Sequence, residues 1–320
     1  MKQSSPKPNV YCLMGPTASG KTGMAVELVQ RFPFAIINVD SAQVYRDMNI
    51  GTGKPDKATL SRAPHRLIDI KDAGETYSAF DFREDAIQEI GNVLALGKTP
   101  LLVGGTMLYF KLLRDGLATM PHADVETRNE IEALVKEKGW EEVHHKLAQV
   151  DPESAQRIHP NDPQRLQRAL EIFLVSGKTM TQFHTEEQEA KSENGDSPPF
   201  HLHFFAIHPD DRDLLYQKIA DRFQQMLSDG LVEEVDSLFQ RGDLNERLPS
   251  IKSVGYRQVW QHLAGELSYD EMVEKSIIAT RQLAKRQLTW LRSWDNLRSL
   301  RDPSGKSMDT LLKYVESISI

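Results

Sequence analysis

The octapeptide Gly15-Pro16-Thr17-Ala18-Ser19-Gly20-Lys21-Thr22 carries the plainest chemistry in this chain of 320 residues. It fits G-x-x-x-x-G-K-[ST], in which glycines let backbone N–H groups close around phosphate oxygens, the lysine adds a point charge and the last hydroxyl suits Mg²⁺. The apolar run Val10-Tyr11-Cys12-Leu13-Met14 before it reads as a buried parallel strand, and Lys21 to Arg31 after it as an amphipathic helix. The helix N-terminus then turns its free donors and the positive end of its dipole toward the anion. Strand, loop and helix together predict a phosphate or diphosphate cradle rather than a structural turn. NTPases and small-molecule kinases are the commonest users of such a loop.

A second group lies at the end of the next strand, Ala35 to Val39, where Asp40-Ser41 follows. In an open parallel sheet the ligand crevice lies at the carboxyl ends of the strands, so Asp40 is expected to face the P-loop. As a residue type it could be a general base, a Mg²⁺ ligand or the cap of the next turn. Asp69, ending Pro64 to Ile70, could equally be a metal ligand of Walker-B type or a cap. Gly104-Gly105-Thr106 follows another strand, where glycines permit close approach and Thr106 offers one hydroxyl. The segment Arg281 to Trp294 is basic, with Leu283, Trp290, Leu291 and Trp294 at helical spacing as core anchors. Arg281, Lys285, Arg286 and Arg292 lie mostly on other faces, either an RNA-binding stripe or a solvated face. Gln164-Arg165-Leu166-Gln167-Arg168 is a second basic stretch.

The elements that must position these groups alternate. Strands Val10–Met14, Ala35–Val39, Pro64–Ile70 and Pro100–Val103 are separated by helical stretches, among them Tyr77 to Leu96 with Ser78 as N-cap and Asp81 three residues on. This predicts an α/β fold, a P-loop-containing doubly wound parallel sheet. Across 120–200 the pattern turns helical, with helices at Val125–Lys138, Trp140–Val150 and Pro163–Ser176, the last opened by Asp162-Pro163. We read 1–119 as the first part of the core, 120–200 as an α-helical insertion domain, and 201–320 as the second part with C-terminal helices. Thr185 to Pro199 reads as a mobile, polar and acidic linker, Leu202–Ile207 as a strand rejoining the sheet, and Arg212–Asp229, Val232–Arg241, Tyr256–His262 and Tyr269–Trp294 as helices.

Composition narrows the class. With 39% hydrophobic and 27% charged residues the chain is of ordinary globular type, and its apolar runs are too short to span a membrane. Met1 to Pro6 lacks the apolar core of a signal peptide. The single cysteine, Cys12, sits in a core strand and fits a small buried hydrophobe in a reducing cytoplasm. Ten histidines show no paired metal spacing, and one cysteine excludes a Cys-rich zinc site. The net charge of −7 argues against general nucleic-acid attraction, which throws weight on local basic stripes.

Seven stretches together resemble the tRNA dimethylallyltransferase (tRNA isopentenyltransferase) family. They are GPTASGKT at 15–22, DSAQVYRDMNIGTGKP at 40–55, PHRLIDI at 64–70, LLVGGTMLYFKLLRDGL at 101–117, RIHPNDPQRLQRALEI at 157–172, SVGYRQVW at 253–260 and TRQLAKRQLTWLR at 280–292. The likeness runs through almost the whole chain in order and is similar to the shorter bacterial form, with no zinc-finger extension expected after Ile320. It implies a tRNA prenyltransferase that moves a dimethylallyl group from dimethylallyl diphosphate to N6 of adenosine 37, with the P-loop holding diphosphate rather than ATP. It implies Asp40 as general base for the adenine amino group, and Lys21, Arg222 and Thr22 with Mg²⁺ as the groups that neutralise departing diphosphate. Thr17 and Thr106 would help to orient it. The same resemblance places tRNA contacts at Asp40, Ser41, Ala42, Gln43, Thr106, Arg128, Gln164, Arg165, Leu166, Gln167 and Arg168. Further contacts fall at Ile251, Lys252, Ser253, Val254, Gly255 and Tyr256, and along the basic helix at Arg281, Lys285 and Arg286. The expected partners are the tRNA anticodon stem-loop and dimethylallyl diphosphate, with no membrane and a monomeric, cytoplasmic enzyme. Two positions depart from the family pattern: Ala42 stands where Met is common, leaving more room beside the target base, and Gly53 where Ala is frequent. The rival reading is a P-loop small-molecule kinase, with Arg157, Arg165 and Arg168 as possible lid arginines.

Overall fold

The structure, a computed structural model, describes residues 7–116, 120–194, 198–209, 211–300 and 305–318. In chain order the elements are β1 (Asn9–Met14), α1 (Lys21–Arg31), β2 (Phe34–Val39), α2 (Lys57–Arg62), β3 (His65–Arg66), α3 (Ala79–Ala95), β4 (Thr99–Gly104) and α4 (Met107–Asp115). Then come α5 (Val125–Val150), α6 (Pro152–Arg157), α7 (Pro163–Ser176) and α8 (Met180–Asn194). The chain continues with β5 (His201–Ile207), α9 (Arg212–Ser228), α10 (Leu231–Phe239), α11 (Tyr256–Leu263), α12 (Tyr269–Arg292), β6 (Arg298–Leu300) and α13 (Gly305–Ile318). Two units result: Met1–Asp115 with Pro198–Ile320, and Gly116–Ser197.

In the first unit six parallel strands run in the order β3-β2-β4-β1-β5-β6. The chain moves outward from β1 to β2 and β3, returns to β4, then crosses to β5 on the far side of β1. Connections therefore diverge at the carboxyl ends of β1 and β4, where a doubly wound sheet leaves its crevice. The strands are apolar on both sides because both faces are covered. Val10, Cys12, Met14, Ile37, Val39 and Leu102 pack on the layer holding α3, α4 and α10 to α12, whereas Tyr11, Leu13, Ile36, Leu101 and Val103 pack on α1 and α13. Ser78 caps α3 through a reciprocal box with Asp81.

The second unit has its own core of Ile131, Val143, Leu147, Leu166, Ala169 and Leu170. Its long α5 is broken at Gly139, φ 78° and ψ 175°, where the sequence had suggested two helices. Asp151 and Asp162 cap α6 and α7, each followed by proline.

Three expectations need correction. Pro64 to Ile70 is a strand for only two residues, because Leu67 and Asp69 take left-handed backbone, φ 60° and 58°, which cannot continue a ladder. Thr185 to Asn194 is the second half of α8 rather than a linker; glutamate, glutamine and lysine are good helix formers even in a polar run. Residues 195–197 lie outside the described ones. The sequence reading also ended its elements at Trp294 and so missed β6 and α13, whose Met308, Leu311 and Val315 complete one core.

Candidate functional site

The octapeptide leaves β1 and enters α1 through Gly20, whose left-handed φ of 85° turns the chain into the helix with no side-chain cap. The first amides of α1 therefore remain available to a ligand. Ala18 is also left-handed, φ 61°, a strained choice for a residue with a Cβ. Ser19 is buried and its Oγ has no partner among the described residues, so a polar group in the cradle would satisfy it. Lys21 donates from Nζ to Pro16 O at 3.2 Å. Burial lowers its ammonium to about 8, with Asp40 opposing the shift and Arg222 adding to it. The charge of an anion in the loop would offset that depression.

Opposite stands Asp40, at the end of β2. Its Oδ1 accepts from the amides of Ala42 at 2.9 Å and Gln43 at 3.3 Å, so the capping role is real. One oxygen is thereby fixed, and Oδ2 has no hydrogen bond among the described residues. The adjoining Ser41 amide donates to Thr106 Oγ1 at 3.1 Å, which ties the β2 and β4 ends together. Gln43 Nε2 donates to the carbonyls of Thr52 at 3.2 Å and Gly53 at 3.3 Å. Arg222 enters from α9, and burial lowers its guanidinium pKa, with Asp40 pulling the other way. A Cβ on Gly53 would sit 1.6 Å from Arg222 Nη2, so the guanidinium occupies the space that a methyl group would need.

Lys21, Thr22, Asp40 and Arg222 line one cavity of about 150 Å³. Part of its wall is apolar, with Ile219, Phe223 and Met226 at helical spacing on α9 beside Leu283 of α12, Val103 and Val254, and part is polar, with Asn38, Gln43, His65, Thr280 and Gln287. The P-loop thus opens onto a cavity with an apolar face on α9. No group of three or more His, Cys, Asp or Glu that could cage a metal occurs among the described residues. Mg²⁺ needs no such cage beside a phosphate, since it takes one or two protein oxygens and fills the remainder with phosphate and water. Thr22 in the cavity fits that pattern.

Residues 43–294 match the family described as IPP transferase, which is most of the chain. A tRNA isopentenylpyrophosphate transferase from Bacillus halodurans is similar at 33% identity, over 97% of this chain and 96% of that one, with a TM-score of 0.71. The chain belongs to this family. As an IPP transferase it is a prenyl-transferring enzyme, and the kinase reading is not favoured. The tRNA delta(2)-isopentenylpyrophosphate transferase of Staphylococcus epidermidis is similar at 31% identity, over 97% of this chain and 99% of that one, TM-score 0.69. A eukaryotic dimethylallyltransferase acting on tRNA shares the fold: TM-score 0.77, 24% identity, 96% of this chain and 78% of that one.

Several of the residues given to RNA contact are held elsewhere in this transferase. Leu166, Ile251 and Tyr256 are fully buried, because each is a packing residue of its helix or turn, and their side chains cannot reach RNA. Tyr256 Oη donates to Glu234 at 2.5 Å, and Glu234 also accepts from the amides of Asn49, Ile50 and Gly51, so together they hold the loop that carries Gly53. Arg128 and Arg168 converge on the buried carboxylate of Glu171, at 2.8 Å and 2.9 Å. Gln164, Arg165, Lys252, Lys285 and Arg286 are exposed, as RNA contact requires. Arg281 lies over the Tyr216 ring at 5.3 Å. Asp69 pairs with Lys54 at 2.5 Å and does not line the cavity, so its Walker-B reading falls.

Sequence reasoning missed Asn38 and His65 in the cavity wall, the apolar face of α9, and Glu234. Only the α9 face had a readable signal, its spacing of four and three residues.

Proposed function

We propose that the enzyme transfers a dimethylallyl group from dimethylallyl diphosphate to N6 of adenosine 37 in tRNA, giving N6-dimethylallyladenosine and diphosphate. The observation that carries this is the single cavity in which a P-loop cradle meets the apolar wall of Ile219, Phe223, Met226 and Leu283, with Asp40 lining it. An allylic diphosphate needs both halves.

The exocyclic amine of adenine is a weak nucleophile because its lone pair is delocalised into the ring. Rate must come from positioning, proton removal and stabilisation of the leaving charge. N6 forms a bond to the allylic C1, the C1–O bond to diphosphate breaks, and the N6 proton passes to Asp40. Its capping bonds from Ala42 and Gln43 hold one oxygen still, which orients the other. Lys21, Arg222 and the α1 amides receive the charge that builds on diphosphate. Mg²⁺, held by Thr22 and the diphosphate oxygens, would supply further neutralisation of that charge. Adenosine must leave its stack to reach the cavity, at a cost of a few kcal/mol. Exposed Arg165 and Gln164 of the helical unit, Lys252, and Lys285 and Arg286 on α12 supply RNA-holding contacts to offset it. A single chain in the cytoplasm is the proposed working form.

Incubation with tRNA and labelled dimethylallyl diphosphate, without ATP, tests the reading. Label in adenosine 37 is the expected outcome; ATP turnover without transfer would overturn it.

A further inference from the structure

Gln287 on α12 is buried, at 8% exposure, in a helix whose adjoining side chains Lys285 and Arg286 are exposed. Its amide does two things. Oε1 accepts from the P-loop amide of Thr17 at 2.9 Å, and Nε2 donates to Gly105 O at 2.9 Å. The orientation is forced, since a peptide N–H can only donate and a carbonyl can only accept. The approach is close: a Cβ on Gly105 would lie 2.5 Å from Gln287 Nε2 and 3.3 Å from Gly15 O, so the glutamine would have to shift to admit one. Glycine at 105 leaves room for the glutamine to seat against its carbonyl. From Gly105 the connection continues through Thr106 Oγ1 to the Ser41 amide, next to Asp40.

We propose that Gln287 is a positioning residue that clamps the diphosphate cradle to the Asp40 side of the cavity. One planar amide bridges the loop after β1 and the loop after β4, and so fixes the distance between leaving group and base. The P-loop amide of Thr17, committed to Gln287, is withheld from the anion, which leaves the α1 amides and Lys21 to bind it. Because Gln287 belongs to α12, any displacement of that helix reaches both loops at once. This deepens the function proposed above and rests on it.

Two variants test the clamp. Gln287→Met removes both hydrogen bonds and keeps the length and volume of the side chain. Gln287→Glu keeps the acceptor for Thr17, sets oxygen against oxygen at Gly105, and brings a negative charge to the cradle. Inorganic diphosphate with Mg²⁺, titrated calorimetrically, reads the cradle without any transfer. Its Kd is expected to rise about tenfold in Gln287→Met, because an unclamped loop must be ordered on binding, and further in Gln287→Glu, whose charge repels the anion. Single-turnover transfer at saturating substrates is expected to fall about tenfold in Gln287→Met, because the spacing is no longer held. The affinity of the free enzyme for tRNA should not change. A residue that only stabilises the fold would lower Tm yet leave Kd and rate per folded molecule at wild-type values. That result, or a loss confined to tRNA affinity, would overturn the proposal. Wild-type enzyme that binds diphosphate but transfers nothing would defeat the function reading instead, and the titration would still decide the role of Gln287.

Discussion

Asp40 does two jobs in the proposed reaction, and a pair of substitutions separates them. Its Oδ1 caps the turn at Ala42 and Gln43, while the carboxylate charge is what a proton acceptor needs. Asp40→Asn retains an acceptor oxygen for both amides and removes the basicity. Asp40→Ala removes both. Loss of the cap should cost about 0.5–2 kcal/mol of stability, seen as a lower Tm in Asp40→Ala alone. Loss of the base should slow the chemical step by roughly 10²–10⁴-fold in both variants, which is about 3–5 kcal/mol of barrier. The rate loss should thus exceed the stability loss and appear fully in the variant that keeps the turn. Single-turnover transfer with excess enzyme at pH 7 is the assay, because Lys21, lowered to about 8, is then still charged in wild type. tRNA affinity measured alongside should be nearly unchanged. If Asp40→Asn transfers at the wild-type rate and only Asp40→Ala is slow, the aspartate is a cap and the proton goes elsewhere.

Diphosphate affinity should depend on the protonation of Lys21. The free ammonium titrates near pH 8 and a bound anion raises it, so binding takes up a proton and weakens as pH climbs above about 8; Lys21→Arg should abolish that dependence, read by titration in buffers of different ionisation enthalpy. In the helical unit, Glu171→Gln should lower stability by about 1–3 kcal/mol, because the buried carboxylate is what holds Arg128, Arg168 and the Asp124 amide together. Burial acts most strongly on Glu171 and raises its pKa, but hydrogen bonds from Arg128, Arg168 and the Asp124 amide, with the Arg128 charge, together outweigh it and hold the pKa below its ordinary value. The stabilisation is therefore present above the ordinary carboxylate range and lost as pH falls through the lowered value, which thermal melts from pH 7 to pH 3 should trace in wild type and not in Glu171→Gln. Finally, Lys285→Ala and Arg286→Ala should each weaken tRNA binding and reduce the slope of log K against log salt by about one. Slopes equal to wild type would make that stripe a solvated face.

The P-loop, the capping box at Ser78 and Asp81, and the helix opened by Asp162-Pro163 were legible because each is encoded within a few residues. So was the alternation of buried strands with helices, and hence the sheet. What escaped was written over long separations or in backbone conformation. Nothing local says that Leu67 and Asp69 turn left-handed and end β3 after two residues. The polar run after Thr185 is helical because residue propensity outweighed its low hydrophobicity. Arg128 and Arg168 read as RNA contacts, yet a carboxylate on α7 pairs with both.

The sequence by itself determined that a glycine-rich loop with a lysine would lead into α1 and that an acid would stand at the end of β2. Local spacing and strand order suffice for that, since glycines, lysine and hydroxyl act within eight consecutive residues. Only the tertiary structure decided what the cradle faces. Ile219 to Met226, Arg222 against Gly53 and Gln287 against Gly105 come from helices some two hundred or more residues downstream of the octapeptide. A cavity wall is a property of surfaces brought together by burial on both faces of a sheet. No stretch of sequence contains it.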